Sequence, residues 1–207
     1  MSKVRYFITG SLIFLVFVLF SYLVHRDLFL HFDFDTTVRI QDHMPRRFDP
    51  TFSYLSLLGS FEIVSVLLLI LLVLSRKIRS ILLILFYGAI HIFELYGKIF
   101  VSHPGPPYLF FRYDIPFKFP TSYVQPGSSY PSGHAARAAF ISVIIFLLVS
   151  RSKKINPSHK FIIYAIVLGF DIAMFVSRVY LGEHWTSDVI GGALLGLSLG
   201  LASLILL

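Results

Sequence analysis

The stretch PSGHAARAAFISVIIFLLVS, residues 131–150, passes from a polar turn into a long apolar run. Pro, Ser and Gly in the turn favour a helix start, and the apolar run is long enough to continue as a membrane-spanning helix. His134 and Arg137 lie at the border between the two parts. Residues of this kind either anchor a helix at the membrane interface or contribute to an anion site at a helix N-terminus. The rest of the chain decides between these interpretations.

The composition indicates an integral membrane protein. Of the 207 residues, 56% are hydrophobic and 14% are charged, which is too apolar for an ordinary soluble domain. The chain contains no cysteine, so a disulfide framework and a thiolate metal site are both excluded. The net charge is +7, but much of the basic charge lies in short loops between apolar runs. A nucleic-acid partner is therefore not expected.

Six segments approach the length of roughly 20 apolar residues that a transmembrane helix needs. They run over Tyr6–Val24, Tyr54–Leu74, Ile78–Phe100, Gly133–Ser150, Phe161–Leu181 and Asp188–Leu207. The first segment follows basic residues, as a signal peptide would, but no small-residue cleavage pattern comes after it, which favours an uncleaved span. The sequence predicts an all-α bundle of six transmembrane helices, forming one domain over residues 1–207.

The loops predict the orientation of these spans. Segments on the same side as the N-terminus carry basic residues without acids: Lys3, Arg5, Arg76, Lys77, Arg79, Arg151, Lys153, Lys154 and Lys160. Both termini are therefore expected in the cytoplasm. On the other side, residues 25–53 predict a short amphipathic helix on the membrane surface. Residues 101–132 form a long loop whose aromatic residues indicate an interfacial belt or, alternatively, a cover for a site.

Polar residues that are unusual near a bilayer collect at the outer ends of four predicted spans. In chain order they are Lys98, Ser132, Gly133, His134, Arg178, His184 and Asp188. Each of them alone has a common explanation as an interfacial anchor or a helix cap. Packing does not readily explain their occurrence on one side of the membrane. The set therefore predicts a functional site at the extracytoplasmic face.

These residue types suit phosphate chemistry. N–H groups at the helix start after PSGH would face an anion, and Arg178 and Lys98 would neutralise phosphate oxygens. One histidine would attack phosphorus while the other protonates the leaving oxygen. Asp188 follows His184 by four residues, so a helical turn would bring its carboxylate back to the ring.

The motifs PSGH at 131–134 and SRVYLGEHWTSD at 177–188 resemble two of the three signatures of the type 2 phosphatidic acid phosphatase superfamily. The resemblance implies that His184 is a nucleophile that forms a phosphohistidine, that Asp188 orients it and that His134 is the general acid. The resemblance also implies a set of phosphate-binding residues, namely Lys98, Ser132, Gly133 and Arg178. The family is metal-independent, so neither a metal nor a cofactor is expected.

The remaining signature of that family is Lys, six residues, then Arg-Pro, and Gly105 and Pro106 stand here in place of Arg-Pro. Three residues are candidates to replace this arginine. His103, in the shortened KIFVSHP, is favoured over Arg137, which lies on the same helical face as the PSGH histidine. Arg112, in the same outer loop, is the third candidate, and the absence of any replacement is the remaining alternative.

Other polar residues inside the spans are expected to have structural roles. Glu94 precedes Lys98 by four residues and is spaced to hold the lysine in place, with His91 on the same face. Asp171 is interpreted as a buried acid bonded to a neighbouring helix. Small residues repeat every four positions on the last span, at Gly192, Gly196 and Gly200. This face favours helix packing within the chain over a homodimer interface.

The leading hypothesis is a membrane lipid phosphatase. Substrates consistent with the resemblance are phosphatidylglycerol phosphate, phosphatidic acid and undecaprenyl diphosphate. A lipid phosphotransferase with the same site and a noncatalytic lipid-binding or transport relative are the alternatives. The related soluble vanadium haloperoxidases conflict with six apolar spans. The small size and the lack of sorting motifs favour a prokaryotic plasma membrane.

Overall fold

The computed structural model describes residues 3–75, 81–117 and 128–206, and within these ranges the chain is helical without β-strands. The helices are α1 Lys3–His25, α2 Leu30–His43, α3 Asp49–Leu57, α4 Phe61–Ser75, α5 Leu83–Phe100, α6 Gly133–Arg151, α7 Pro157–Tyr180 and α8 Thr186–Ser203. The all-α prediction is confirmed. The loop cations Arg76, Lys77 and Arg79 lie outside the described residues.

Five helices, α1, α5, α6, α7 and α8, are each long and apolar enough to cross a membrane. Within the described ranges, a sixth span arises only when the segments Arg46–Leu57 and Phe61–Leu74, which meet at 47°, are counted together. The predicted span over residues 54–74 is therefore broken between α3 and α4. The break frees the Gly59 carbonyl, which accepts a hydrogen bond from Arg137 Nε at 3.0 Å. The bend thus contributes to the polar end of the bundle.

Helices α6 and α8 form the centre of the bundle. In the most apolar 18-residue stretch of α6, 72% of residues are buried, against 17% in the corresponding stretch of α1. Glycines allow this approach, because a Cβ on Gly196 would collide with the Ala136 carbonyl oxygen and one on Gly200 would press on Val143. Gly192 likewise packs against Ser132. The glycine face therefore packs within the chain, and a homodimer through it stays a prediction.

Helix α1 lies along α8 in the opposite direction. Near the start of α1, Gly10 packs against the backbone of Ser198 and Ala202. Near its end, Ser21 Oγ lies 2.8 Å from the Tyr130 hydroxyl, just before α6. The beginning of α1 and the end of α8 consequently share one end of the bundle. The side of the membrane that this end faces stays a prediction.

Helix α2 is amphipathic, but its buried side is polar and its exposed side is largely apolar. Its buried positions are polar, at Asp33, Thr37 and Gln41, whereas Leu30, Phe32 and Phe34 are exposed. Gln41 Nε2 donates to the carbonyls of Phe110 and Tyr180 at 2.7 and 2.8 Å. The predicted surface helix within residues 25–53 thus exists, but it packs its polar side against the ends of the bundle helices.

Candidate active site

The predicted site residues come together where four helices meet. Helices α6 and α8 begin there, and α5 and α7 end there. The ring of His134 lies within electrostatic reach of four other polar side chains, those of Lys98, Arg137, Arg178 and His184. The structure therefore gathers residues from all four helix ends into one polar cluster.

The turn between α7 and α8 fixes the position of His184. The Arg178 carbonyl accepts the N–H groups of Glu183 and His184, each at 3.2 Å. Gly182 adopts φ of 68°, the left-handed conformation that glycine tolerates best. A Cβ at Gly182 would also collide with the Phe110 carbonyl oxygen. Glycine is required here because the turn is left-handed and also closely contacts Phe110 in the loop after α5.

His184 and Asp188 form the predicted pair. His184 Nδ1 lies 3.3 Å from Asp188 Oδ2, and the same oxygen accepts the Trp185 N–H at 2.9 Å. His184 precedes α8, so the contact arises at the helix start and not within a continuous helical turn. Because a carboxylate only accepts, Nδ1 carries the proton and the lone pair is on Nε2. The ring is thereby set up for attack through Nε2.

Arg178 is a buried cation with an unused donor. Its Nη1 contacts Glu183 Oε2 at 2.6 Å, and its Nε donates to Ser177 Oγ at 3.4 Å. Arg178 Nη2 is buried and has no hydrogen-bond partner among the described residues. Burying a guanidinium donor without an acceptor is unfavourable, so this nitrogen is suited to an anionic ligand oxygen.

The start of α6 is capped as the sequence predicts. Ser132 Oγ accepts the Ala135 N–H at 3.5 Å, and the Ser132 N–H donates to the Asp188 carbonyl at 3.0 Å. A Cβ on Gly133 would overlap the Glu94 carboxylate. The glycine therefore makes room for Glu94, and the phosphate contact predicted for Gly133 stays a prediction. The first N–H groups of α6 have no partner within the helix, as at any helix start.

Glu94 organises the cations on this side of the site. Its carboxylate contacts Arg137 Nη1 at 3.2 Å, His91 Nδ1 at 3.6 Å and Lys98 Nζ at 3.9 Å. Arg137 Nη2 lies 3.5 Å from His134 Nδ1. A guanidinium donates and does not accept, so His134 Nδ1 is the acceptor and the proton of the neutral ring is on Nε2. Both histidines of the site therefore leave Nε2 available for a ligand.

A family model described as the PAP2 superfamily matches residues 66–207, which is more than half of the chain. The chain belongs to the PAP2 superfamily. The match covers most of α4 and all of α5–α8, and it therefore includes every predicted site residue. Helices α1–α3 precede the matched range.

Individual PAP2 relatives agree with this assignment. Over 71 residues the chain is 38% identical to phosphatidylglycerophosphatase B of Bacillus subtilis (strain 168), a match covering 34% of this chain and 35% of that protein. The match thus spans about a third of the length of that relative.

Two crystal structures share the fold. The first is a transmembrane PAP2 type phosphatidylglycerolphosphate phosphatase from Bacillus subtilis, with a TM-score of 0.74, 22% identity, and coverage of 92% of this chain and 91% of the other. The second is Aquifex aeolicus LpxE, with a TM-score of 0.62, 26% identity, and coverage of 84% and 94%. Together with the apolar helices, the likeness identifies an integral membrane protein with the transmembrane PAP2 fold.

The three candidates for the missing PAP2 arginine occupy different places. Arg137 lies beside His134, as described above. His103 is buried against Asp188 and Asp33. Arg112 donates to the carbonyls of Met44 and Gln41, each at 3.2 Å, and joins the loop after α5 to the end of α2. None of these contacts tests which side chain meets a phosphate, so the replacement stays a prediction.

Three residues next to this PAP2 site were not predicted from the sequence. Asp33 accepts the Ser187 N–H at 2.8 Å and the Ser187 hydroxyl at 2.6 Å. Glu183 holds Arg178 from within the turn between α7 and α8. The polar spacing at 33, 37 and 41 in α2 was an available signal, since it marks one helical face. Glu183 and Ser187 gave no signal beyond their position inside the SRVYLGEHWTSD motif.

Proposed function

We propose that the protein is a metal-independent membrane lipid phosphatase that acts through a phosphohistidine. The observation that carries the proposal is the His184–Asp188 pair, whose unprotonated Nε2 belongs to the same cluster as His134 and the unused donor of Arg178. This combination provides a nucleophile, a proton donor and an anion site within one cluster. Membership in the PAP2 superfamily and the names of its phosphatase relatives support the same activity.

In the first half of the proposed reaction, His184 Nε2 attacks phosphorus. A bond between nitrogen and phosphorus forms while the bond from phosphorus to the lipid oxygen breaks, and the lipid oxygen takes a proton from protonated His134. A bound phosphate brings negative charge that stabilises the imidazolium of His134. Because that form carries a proton on both ring nitrogens, Nδ1 no longer accepts from Arg137, and the guanidinium donates to the phosphate instead. Asp188 stabilises the positive charge that develops on His184.

In the second half, water attacks the phosphohistidine. His134 accepts the proton of that water, inorganic phosphate leaves, and His184 regains its lone pair. The phosphate oxygens are held by Arg178 Nη2, by Lys98 and by the first N–H groups of α6, which follow Ser132 and Gly133. These donors act on charge that develops in the transition state, which is where they lower the barrier.

Arg137 is the proposed replacement for the PAP2 arginine that Gly105 lacks. Its guanidinium is within 3.5 Å of His134, and the Glu94 carboxylate and the Gly59 carbonyl hold it there. A bidentate cation next to the general acid suits a phosphate oxygen. His103 is held in the opposite direction, toward carboxylates, and Arg112 is engaged by backbone carbonyls.

The proposed substrate is a lipid phosphate whose apolar chain stays in the bilayer while its head group enters the polar end of the bundle. Phosphatidylglycerol phosphate, phosphatidic acid and undecaprenyl diphosphate fit this description. We place the site at the extracytoplasmic face of a prokaryotic plasma membrane, with both termini in the cytoplasm, because of the basic loops at the opposite end.

The test is phosphate release from a panel of these three lipids by purified protein in detergent. The wild type is expected to release phosphate from at least one lipid, whereas His184→Ala should lose activity by at least about a thousandfold, because no nucleophile remains. His159→Ala is the matched control, since His159 is exposed and bonded to Asn156 at the start of α7.

Three outcomes would contradict the proposal. They are release by His184→Ala at the wild-type rate, the absence of release from every lipid by the wild type, and an equal loss in His159→Ala. Product analysis with a lipid alcohol acceptor distinguishes hydrolysis from phosphoryl transfer to another lipid.

A further inference from the structure

His103 is anchored at both its backbone and its ring. Its carbonyl accepts the Ser129 N–H at 3.0 Å, the Ser128 hydroxyl at 3.1 Å and the Ser129 hydroxyl at 3.2 Å. The side chain is 1% exposed. Next to it, the Pro104 carbonyl accepts Trp185 Nε1 at 2.8 Å, which joins this loop to the start of α8. The ring is therefore held in one orientation behind the active site.

All polar contacts of the ring are made by one nitrogen. His103 Nε2 lies 3.2 Å from Ser187 Oγ, 3.5 Å from Asp188 Oδ1 and 3.6 Å from Asp33 Oδ2. Ser187 donates its hydroxyl proton to Asp33, so its oxygen accepts from His103. Three acceptors thus surround Nε2, and this nitrogen must carry a proton. Nδ1 is buried without a hydrogen-bond partner in the described ranges.

The two oxygens of Asp188 have different neighbours. Oδ2 accepts the Trp185 N–H and contacts His184. Oδ1 faces His103 Nε2 from the other side. Oδ1 has no hydrogen-bond partner among the described residues, so the 3.5 Å electrostatic contact with His103 is the interaction that opposes rotation of the carboxylate on this side. His103 therefore contacts the group that orients His184 and not His184 itself.

Asp33 supplies the opposing charge. The side chains of Asp33 and Asp188 are 2% and 0% exposed, and two buried carboxylates facing one ring favour its protonated form. Burial lowers the pKa of His103, but the nearby carboxylate of Asp33 and the charges of Asp188 and Asp27 outweigh burial and raise it. Because Asp33 neutralises an imidazolium at position 103, Asp188 keeps its negative charge for His184.

We propose that His103 and Asp33 are positioning residues of the reaction: they fix the rotation of Asp188 without neutralising it, and Asp188 in turn orients the nucleophile. The inference rests on the proposed phosphohistidine chemistry. His103 is thereby assigned to the part of the site around His184 and Asp188, in place of a direct contact with phosphate. It also gives α2 a role in the reaction, although α2 lies outside the matched PAP2 range.

The first experiment is a double-mutant cycle measured on the lipid that the wild type hydrolyses best. His103→Gln and Asp33→Asn should each lower kcat about tenfold and leave KM within about twofold, because substrate contacts stay intact. The double variant should lose about tenfold as well, not about a hundredfold, because both residues act through one carboxylate. His43→Gln is the matched control, since His43 is exposed on α2 and contacts the Arg39 carbonyl.

The activity data separate this inference from the proposed function. An unchanged kcat in His103→Gln, a rise in KM without a fall in kcat, or independent losses in the double variant would overturn the positioning role while leaving the phosphatase proposal standing. Thermal unfolding of each variant shows that the folded enzyme is being compared.

The second experiment does not depend on activity. Nitrogen NMR of histidine-labelled protein in detergent follows the ring of His103, assigned by its loss in His103→Gln. The ring should lose its proton at a higher pH than a free imidazole does, because its pKa is raised. Asp33→Asn should move that titration to lower pH. A ring that titrates at or below the pH of a free imidazole, or a titration that Asp33→Asn leaves unchanged, would overturn the inference even if no lipid were hydrolysed.

Discussion

The two histidines of the site have opposite electrostatic surroundings. His184 contacts a carboxylate, Asp188. His134 has cationic neighbours, with Arg137 3.5 Å from its Nδ1 and both Lys98 and Arg178 within electrostatic reach. Both surroundings also contain groups of the opposite kind: His103 lies behind Asp188, and Glu94 and Glu183 contact Arg137 and Arg178. We refer to them as the nucleophile side and the acid side.

The difference shows how one pair of identical side chains can perform two tasks. A carboxylate at Nδ1 makes the opposite nitrogen a better nucleophile and stabilises the positive charge that follows attack. Cations lie near the other ring, so a bound phosphate would balance their charge and favour the protonated form of that ring which the proposed reaction needs. The proton donor is thereby matched to the bound phosphate. Paired groups with opposed environments are a recurring arrangement in acid–base catalysis.

The largest expected effect distinguishes the acid side from the nucleophile side through the leaving group of the substrate. His134→Ala should lower the turnover of a lipid phosphate by about 10²–10⁴-fold, because the departing alkoxide needs a proton. With a nitrophenyl phosphate, whose leaving group departs without protonation, the loss should be much smaller. Turnover of both substrates by each variant is the measurement.

His184→Ala provides the contrast, because removing the nucleophile should abolish turnover of both substrates. If His134→Ala lost activity equally on the lipid and on the nitrophenyl phosphate, the assignment of the acid side would be wrong.

An intermediate effect is expected from the cation of the acid side. Arg137→Gln should raise KM for the lipid about tenfold, because a charge-assisted contact to phosphate is worth about 1.5–3 kcal/mol and part of it remains with the neutral amide. Arg112→Gln should leave KM unchanged, because Arg112 contacts backbone carbonyls. Steady-state kinetics of the two variants compare the same substitution inside and outside the cluster.

Gly105→Arg in the Arg137→Gln background sharpens this test. A Cβ at Gly105 would lie 3.5 Å from Ser129 Cβ, an ordinary contact, so the larger residue can be introduced. Recovery of KM would indicate that Arg137 performs the task of the PAP2 arginine. A KM that Arg137→Gln leaves unchanged would contradict the replacement.

The smallest effect on activity is expected from a substitution in the packing between α6 and α8, the helices that contain His134 and Asp188. Gly196→Ala places a methyl group against Ala136 and should cost about 1–3 kcal/mol of stability through overpacking. Gly169→Ala is the matched control, because apart from the adjacent residues and backbone of its own helix the described part of the chain has no atom within 4 Å of the added Cβ. Thermal unfolding in detergent measures the difference, and equal melting temperatures would contradict the close packing of α6 on α8.

The sequence was sufficient to predict the helices and the convergence of the predicted site residues, because apolar length and motif spacing are local properties. It could not predict the break between α3 and α4, which depends on packing against Arg137 from a distant helix. It also gave no sign that the space beside Gly133 is filled by Glu94, which belongs to another helix.

The position of His103 illustrates the same limit. Its distance from Lys98 in the chain suggested a phosphate contact. Its actual partners are Asp33, far earlier in the chain, and Asp188, far later. Spacing along one segment indicates which residues are near a site, but the direction of a side chain depends on partners that sequence proximity does not reveal.

The inward-facing polar side of α2 has a consequence for biosynthesis. Asp33 and Ser187 are separated by 154 residues, and Gln41 binds carbonyls 69 and 139 residues further along the chain. When α2 leaves the ribosome, these partners have not yet been made. Its polar side must stay hydrated until the turn before α8 is synthesised, so α2 docks late in folding. The contacts between α2 and the turn before α8 are therefore among the last that the chain can form.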